Sequence, residues 1–181
     1  MTQGLVVAPH RRHSLGMMRL REDRRGLGLD PRAVRRDEVA RLRALGVEIT
    51  EIGRAKSRSL FDRFVREFIA PEHAARFLDD VKRRGLDDLQ RWMRHDRTLR
   101  TLAQGSLAWL APREELRRCV RFEKRPDLPA LEVELATMDE AWATSWPGAF
   151  VSFEAGRALV VTVDYEVLRC DRGARLTSPY R

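Results

Sequence analysis

Phe150-Val-Ser-Phe-Glu-Ala-Gly-Arg-Ala-Leu-Val-Val-Thr-Val-Asp-Tyr-Glu-Val-Leu-Arg-Cys170 is the stretch on which the fold of this chain turns. Leu159, Val161, Val163, Tyr165 and Val167 fall on every second position, the period of a strand with one apolar face. Val151 and Phe153 keep the same phase in the preceding arm. A three-residue loop, Glu154-Ala155-Gly156, predicts a hairpin that pairs Phe153 with Arg157, Val151 with Leu159 and Ala149 with Val161. That register collects the apolar residues of both arms on one face. Gly156, third in the loop, suits the left-handed position of a type I turn with a bulge.

A second hairpin precedes it. Val120 and Phe122 alternate with Arg121 and Glu123, and Leu131, Val133 and Leu135 alternate with Glu132 and Glu134. Arg125-Pro-Asp-Leu-Pro129 is the loop between them. Thr137-Met-Asp-Glu140 has the form of a capping box opening a short helix. That helix carries Trp142 and Trp146, read as core, and stops at Pro147-Gly148.

Upstream the period lengthens. Leu60, Phe61, Phe64, Val65, Phe68 and Ile69 form a wide helical stripe over Ser57–Ile69. Pro71 opens another helix, with Phe77, Leu78 and Val81 inward and Gly85 as its stop. A third is expected from Asp87 towards Gly105, carrying Leu89, Trp92, Met93, Leu99 and Leu102. Nearer the N-terminus, Leu5–Ala8 reads as a strand. Asp30-Pro31 starts a helix with an N-cap carboxylate and a proline in first position, and Gly46 ends it. Val47–Ile52 reads as a strand, so strand, helix and strand compose a right-handed βαβ unit. The expected fold is α+β: an N-terminal βα portion (1–56), a helical middle (57–112) and a C-terminal antiparallel sheet of two hairpins (113–181), together one compact unit.

Hydrophobic residues make up 43% of the chain and charged residues 34%, a globular composition with a heavily charged surface. No apolar run approaches the ~20 residues of a membrane span, and Gly4–Ala8 is too short for a signal-peptide core. The expectation is a cytoplasmic protein without membrane contact. Cys119 and Cys170 have neither metal nor redox spacing and read as buried thiols. No metal or cofactor motif is present, and none is expected.

The net charge of +8 is uneven: residues 1–45 carry +6, residues 46–112 carry +3 and residues 113–181 carry −1. A basic front suggests a surface that meets polyanions. Arg11, Arg12, Arg24, Arg25, Arg35 and Arg36 are its candidate nucleic-acid contacts. The leading expectation is therefore a non-enzymatic regulatory or accessory protein that contacts nucleic acid, with the C-terminal sheet as scaffold or protein-partner surface. His10-Arg-Arg-His13, after a strand and a proline, resembles the HxGH signature of nucleotidylyl transferases, with Arg12 in the place of its glycine. Lys56-Ser-Arg-Ser59 faintly resembles the KMSKS loop of the same family. That likeness implies a nucleotide- or RNA-directed enzyme using His10 and His13 to stabilise charge on a transferring phosphate. Val39–Leu45 followed by Ser57–Phe68 resembles a helix-turn-helix. A third reading is a protein-binding module whose basicity follows genome composition, since Lys56, Lys82 and Lys124 are the only lysines.

Overall fold

The computed structural model describes residues 30–88, 92, 100–101, 104–113, 115, 117–123, 128–144, 146–162 and 166–177. The chain divides into two units, 1–40 and 41–181. Helix α1 (Pro31–Ala44) opens as its sequence dictates, the Asp30 side chain accepting the Arg32 backbone N–H at 3.0 Å. It closes with the Gly46 N–H on the Arg43 carbonyl (2.9 Å) and the Val47 N–H on the Leu42 carbonyl (3.0 Å), the paired bonds of a Schellman motif. Leu5–Ala8, the other strand of the expected βαβ unit, lies outside the described residues.

The second unit is α+β, built on an antiparallel sheet. Among the described residues seven strands pair in the order β1-β4-β3-β5-β6-β7-β2. They are β1 (Ile49–Glu51), β2 (Arg100–Thr101), β3 (Arg118–Glu123), β4 (Leu131–Glu134), β5 (Gly148–Ser152), β6 (Arg157–Val161) and β7 (Val167–Asp171). The β3–β4 hairpin forms as expected, with Cys119 opposite Val133 and Arg121 opposite Leu131. β1 sits at one edge against β4 and separates α1 from the next helix, so the helix-turn-helix reading does not hold.

The deciding stretch folds differently from its expected register. Val151 faces Ala158 and Phe150 faces Leu159, leaving a four-residue loop in which Gly156 takes φ 67°. Apolar residues of this hairpin consequently point to both faces. The physical reason is that both faces are buried, so nothing penalises the register that splits them. The run from Leu159 to Val167 is not one strand either. It breaks after Val161, where the Thr162 N–H meets the Glu166 carbonyl at 2.9 Å, and returns as β7 with Val167 opposite Val161. A strict period of two is equally satisfied by two short strands that pair with each other. Arg100 and Thr101, expected in a helix, pair with Leu168 and Val167 at the far edge.

One face is covered by α2 (Arg54–Phe68) and α3 (Ala74–Arg84), the latter preceded by a single 3₁₀ turn at Pro71–His73. Phe64, Phe68, Phe77 and Val81 pack there with Phe122, Val151, Val160 and Cys170. Phe64 lies at the centre, 5.5 Å from Phe68, 5.7 Å from Phe122 and 6.4 Å from Phe77 between ring centroids. The opposite face carries Cys119, Arg121, Leu131, Val133, Phe150 and Leu159, all buried. Two short helices, α4 (Ser106–Leu110) and α5 (Glu140–Thr144), and the Trp146–Pro147 segment accompany that side. The middle of both sheet faces is thus buried, while Arg118 and Glu132 on β3 and β4 reach water.

Candidate nucleic-acid interface

His10, His13, Arg11, Arg12, Arg24 and Arg25 lie outside the described residues. Arg35 and Arg36 are adjacent on α1, about 100° apart around its axis. Arg36 is exposed and Arg35 half-buried. The neighbour that shares a stripe with Arg36 is Arg32, exposed one turn earlier, which the sequence reading passed over. Lys56–Ser59 lies in the first turns of α2 and not in a loop. Its Ser57 is buried, donating to the Ile52 carbonyl at 3.0 Å and accepting from the Ala130 N–H at 2.9 Å. That hydroxyl stitches the helix to two neighbouring segments.

The described surface of the second unit is polarised. Between 54 and 84, the exposed cations are Arg54, Lys56, Arg58 and Arg66 on α2, with Arg76, Lys82, Arg83 and Arg84 on α3. The exposed carboxylates of the same segment are Asp62, Glu72 and Asp79. From 104 to 177 the two signs balance: Arg113, Arg118, Arg172 and Arg175 are exposed against Glu115, Asp139, Glu154 and Asp171. Lys82-Arg-Arg84 closes α3, where the helix dipole favours cations. Burial shows what sequence spacing hid, because the inward half of each helix is apolar and nearly all its cations face out.

The other concentrations of chemistry are enclosed. Arg121, expected opposite a core face, is fully buried, and Glu123 is only 8% exposed. The Arg121 guanidinium pairs with the Glu123 carboxylate and donates to the Pro147 carbonyl at 2.9 Å. It stacks on Trp146 with its central carbon 3.4 Å from the ring centroid. Gly148 makes the room, since a Cβ there would stand 2.6 Å from the Phe122 carbonyl and 3.0 Å from the Arg121 guanidinium. Trp109 of α4 is held between strands and helix by Arg157 and Arg169, each 5.3 Å from its ring centroid. Arg157 also donates to the Trp109 carbonyl at 2.6 Å.

Both cysteines are buried and unbridged. Burial pushes the Cys119 thiol well up, with Glu134 and Glu132 adding to the shift and Arg121 opposing it. Among the described residues no cluster of His, Cys, Asp and Glu is disposed to hold a metal ion. No helix among them is long and apolar enough to cross a membrane. No protein-family model matches the chain, and no characterised protein or solved structure matches it.

Proposed function

We propose that this protein is a non-enzymatic accessory or regulatory protein that contacts nucleic acid through its arginine-rich N-terminal region. The observation that carries this reading is the +6 held by residues 1–45 against the −1 of residues 113–181. An excess of arginine imposed by base composition alone would spread over the whole surface. Instead the exposed charges among the described residues from 104 to 177 cancel. Arg32 and Arg36 supply an exposed pair one turn apart on α1, a spacing that suits successive contacts to a phosphate backbone. Such contacts position a protein on nucleic acid without reading its sequence.

The test is binding of the full chain to duplex DNA and RNA over a salt series. Counterion release makes phosphate-driven affinity fall steeply with salt. Replacing Arg11, Arg12, Arg24 and Arg25 with Gln is expected to flatten the dependence. Unchanged affinity and slope in that variant would remove the N-terminal region as the contact. Turnover of nucleotides or RNA that disappears in both His10→Gln and His13→Gln would replace this reading with the enzymatic one.

A further inference from the structure

We infer that the outward face of α2 and α3 is a second nucleic-acid contact surface, which binds duplex backbone phosphates without base readout. The inference rests on the nucleic-acid reading above for its partner class, but on different residues and a different part of the fold. Its core is Arg58 and Arg66 on α2 with Lys82 and Arg83 on α3, all exposed.

Three observations select the partner. First, the charges are spread out. Arg58 and Arg66 stand eight residues apart on one helix, about 12 Å along its axis at ~1.5 Å per residue. A single small phosphate cannot bridge that distance, whereas a charged polymer can. Second, the cations are available. Lys82 is 3.9 Å from Asp79, with both side chains mostly in water, which is a weak surface pair. The tighter pairs in this layer, Arg63–Glu67 and Arg172–Glu67, use other cations. Third, the face lacks apolar groups. Among the described residues Leu45 is the exposed large hydrophobic side chain, and it lies outside both helices. Binding to single strands uses aromatic platforms on which bases stack. Membrane-surface helices bury large apolar side chains between lipids. A cationic face with neither fits a duplex, met through its phosphates.

The experiment measures fluorescence anisotropy of a labelled random-sequence duplex with the full chain across a sodium chloride series. One variant carries Arg58→Gln, Arg66→Gln, Lys82→Gln and Arg83→Gln. A second carries Arg11→Gln, Arg12→Gln, Arg24→Gln and Arg25→Gln. All four positions of the first set are exposed, so its circular dichroism and urea midpoint should match the parent. Each lost phosphate contact lowers the slope of log affinity against log salt by about 0.9. The helical-layer variant is therefore expected to lose up to about 3.6 from that slope and at least tenfold in affinity at low salt.

Parent-like binding by the helical-layer variant, with binding lost in the N-terminal variant, overturns this inference and leaves the proposed function standing. A parent that does not bind duplex at all overturns both. Tighter binding to a single strand of equal length overturns the duplex assignment. So does retention on phosphatidylserine vesicles that the helical-layer substitutions abolish, when duplex binding is unaffected by them.

Discussion

Arg121 and Glu123 stand two residues apart on β3, on the same face of the sheet, and form an ion pair in which the arginine is fully buried. Trp146 closes one side of the guanidinium and Phe150 lies 5.3 Å away. The pair therefore joins β3 to the segment that leads into β5.

Removing one partner should cost far more than removing both. Arg121→Met leaves the Glu123 carboxylate desolvated and is expected to cost about 3–5 kcal/mol. Arg121→Met with Glu123→Met removes the orphaned charge and should recover most of that loss. Urea denaturation of both singles and the double gives the coupling directly. Losses that merely add would show that stacking on Trp146, and not the charge pair, holds this region.

The same pair shows how far the sequence could be read. The alternation over 118–123 identifies a strand and its partner correctly, because period and turn chemistry are local. It does not tell which face is dry. Arg121 alternates with Val120 and Phe122 like any exposed residue, and only the glycine at 148 on the neighbouring strand opens space for it. That information is non-local. Register failed for a related reason: with Phe150 and Val151 both fully buried, a shift of one residue exposes neither.

The capping box at Thr137 failed through competition. The Thr137 hydroxyl accepts from the Glu48 N–H at 2.9 Å, and Asp139 caps α5 instead, accepting from Ala141 N–H at 2.7 Å. Glu140 turns away to accept from the Leu107 N–H at 3.1 Å. The helical layer, by contrast, was legible in its apolar stripe. Its exposed cations carry no such signal, since charge runs on helices are ordinarily just solvated.

Phe64 should be the most costly ring of the helical layer to truncate. It is fully buried among aromatic neighbours on α2, α3 and β3. Phe64→Ala is expected to cost about 3–5 kcal/mol from lost transfer energy and the cavity left behind. Phe61, half-buried at the margin of the same cluster, should cost less. Chemical denaturation of the two variants checks the order, and a loss below about 1 kcal/mol at Phe64 would contradict this packing.

Gly148→Ala should destabilise by backbone contact and not by cavity formation. The new Cβ would lie 2.6 Å from a main-chain oxygen that cannot swing aside, and the glycine holds φ 151°. Two strands must separate, or Arg121 must leave its seat. A loss of more than about 2 kcal/mol is expected, in the upper range for single substitutions. Combining it with Arg121→Met should be less than additive, because both act on one contact. Full additivity in thermal or urea unfolding would separate the two sites.

The thiol of Cys119 should make stability fall at alkaline pH. Burial holds it protonated in the folded protein well above the range in which an exposed thiol titrates, about 8.5 in an unfolded chain. The sign follows from proton counting. Below the unfolded value both states keep the proton, and the contribution is complete. Above it the unfolded chain releases a proton that the folded chain retains, so rising pH favours unfolding. Each further pH unit should remove about 1.4 kcal/mol through this one group. The measurement is the difference in unfolding free energy between the parent and Cys119→Val from pH 7 to pH 10.5. That substitution shifts stability by a constant offset through packing but abolishes the slope that belongs to the thiol. A difference that stays flat across the range would show that Cys119 ionises as freely folded as unfolded. Alkylation gives an independent check: both buried cysteines should resist iodoacetamide at pH 8 until urea opens the sheet.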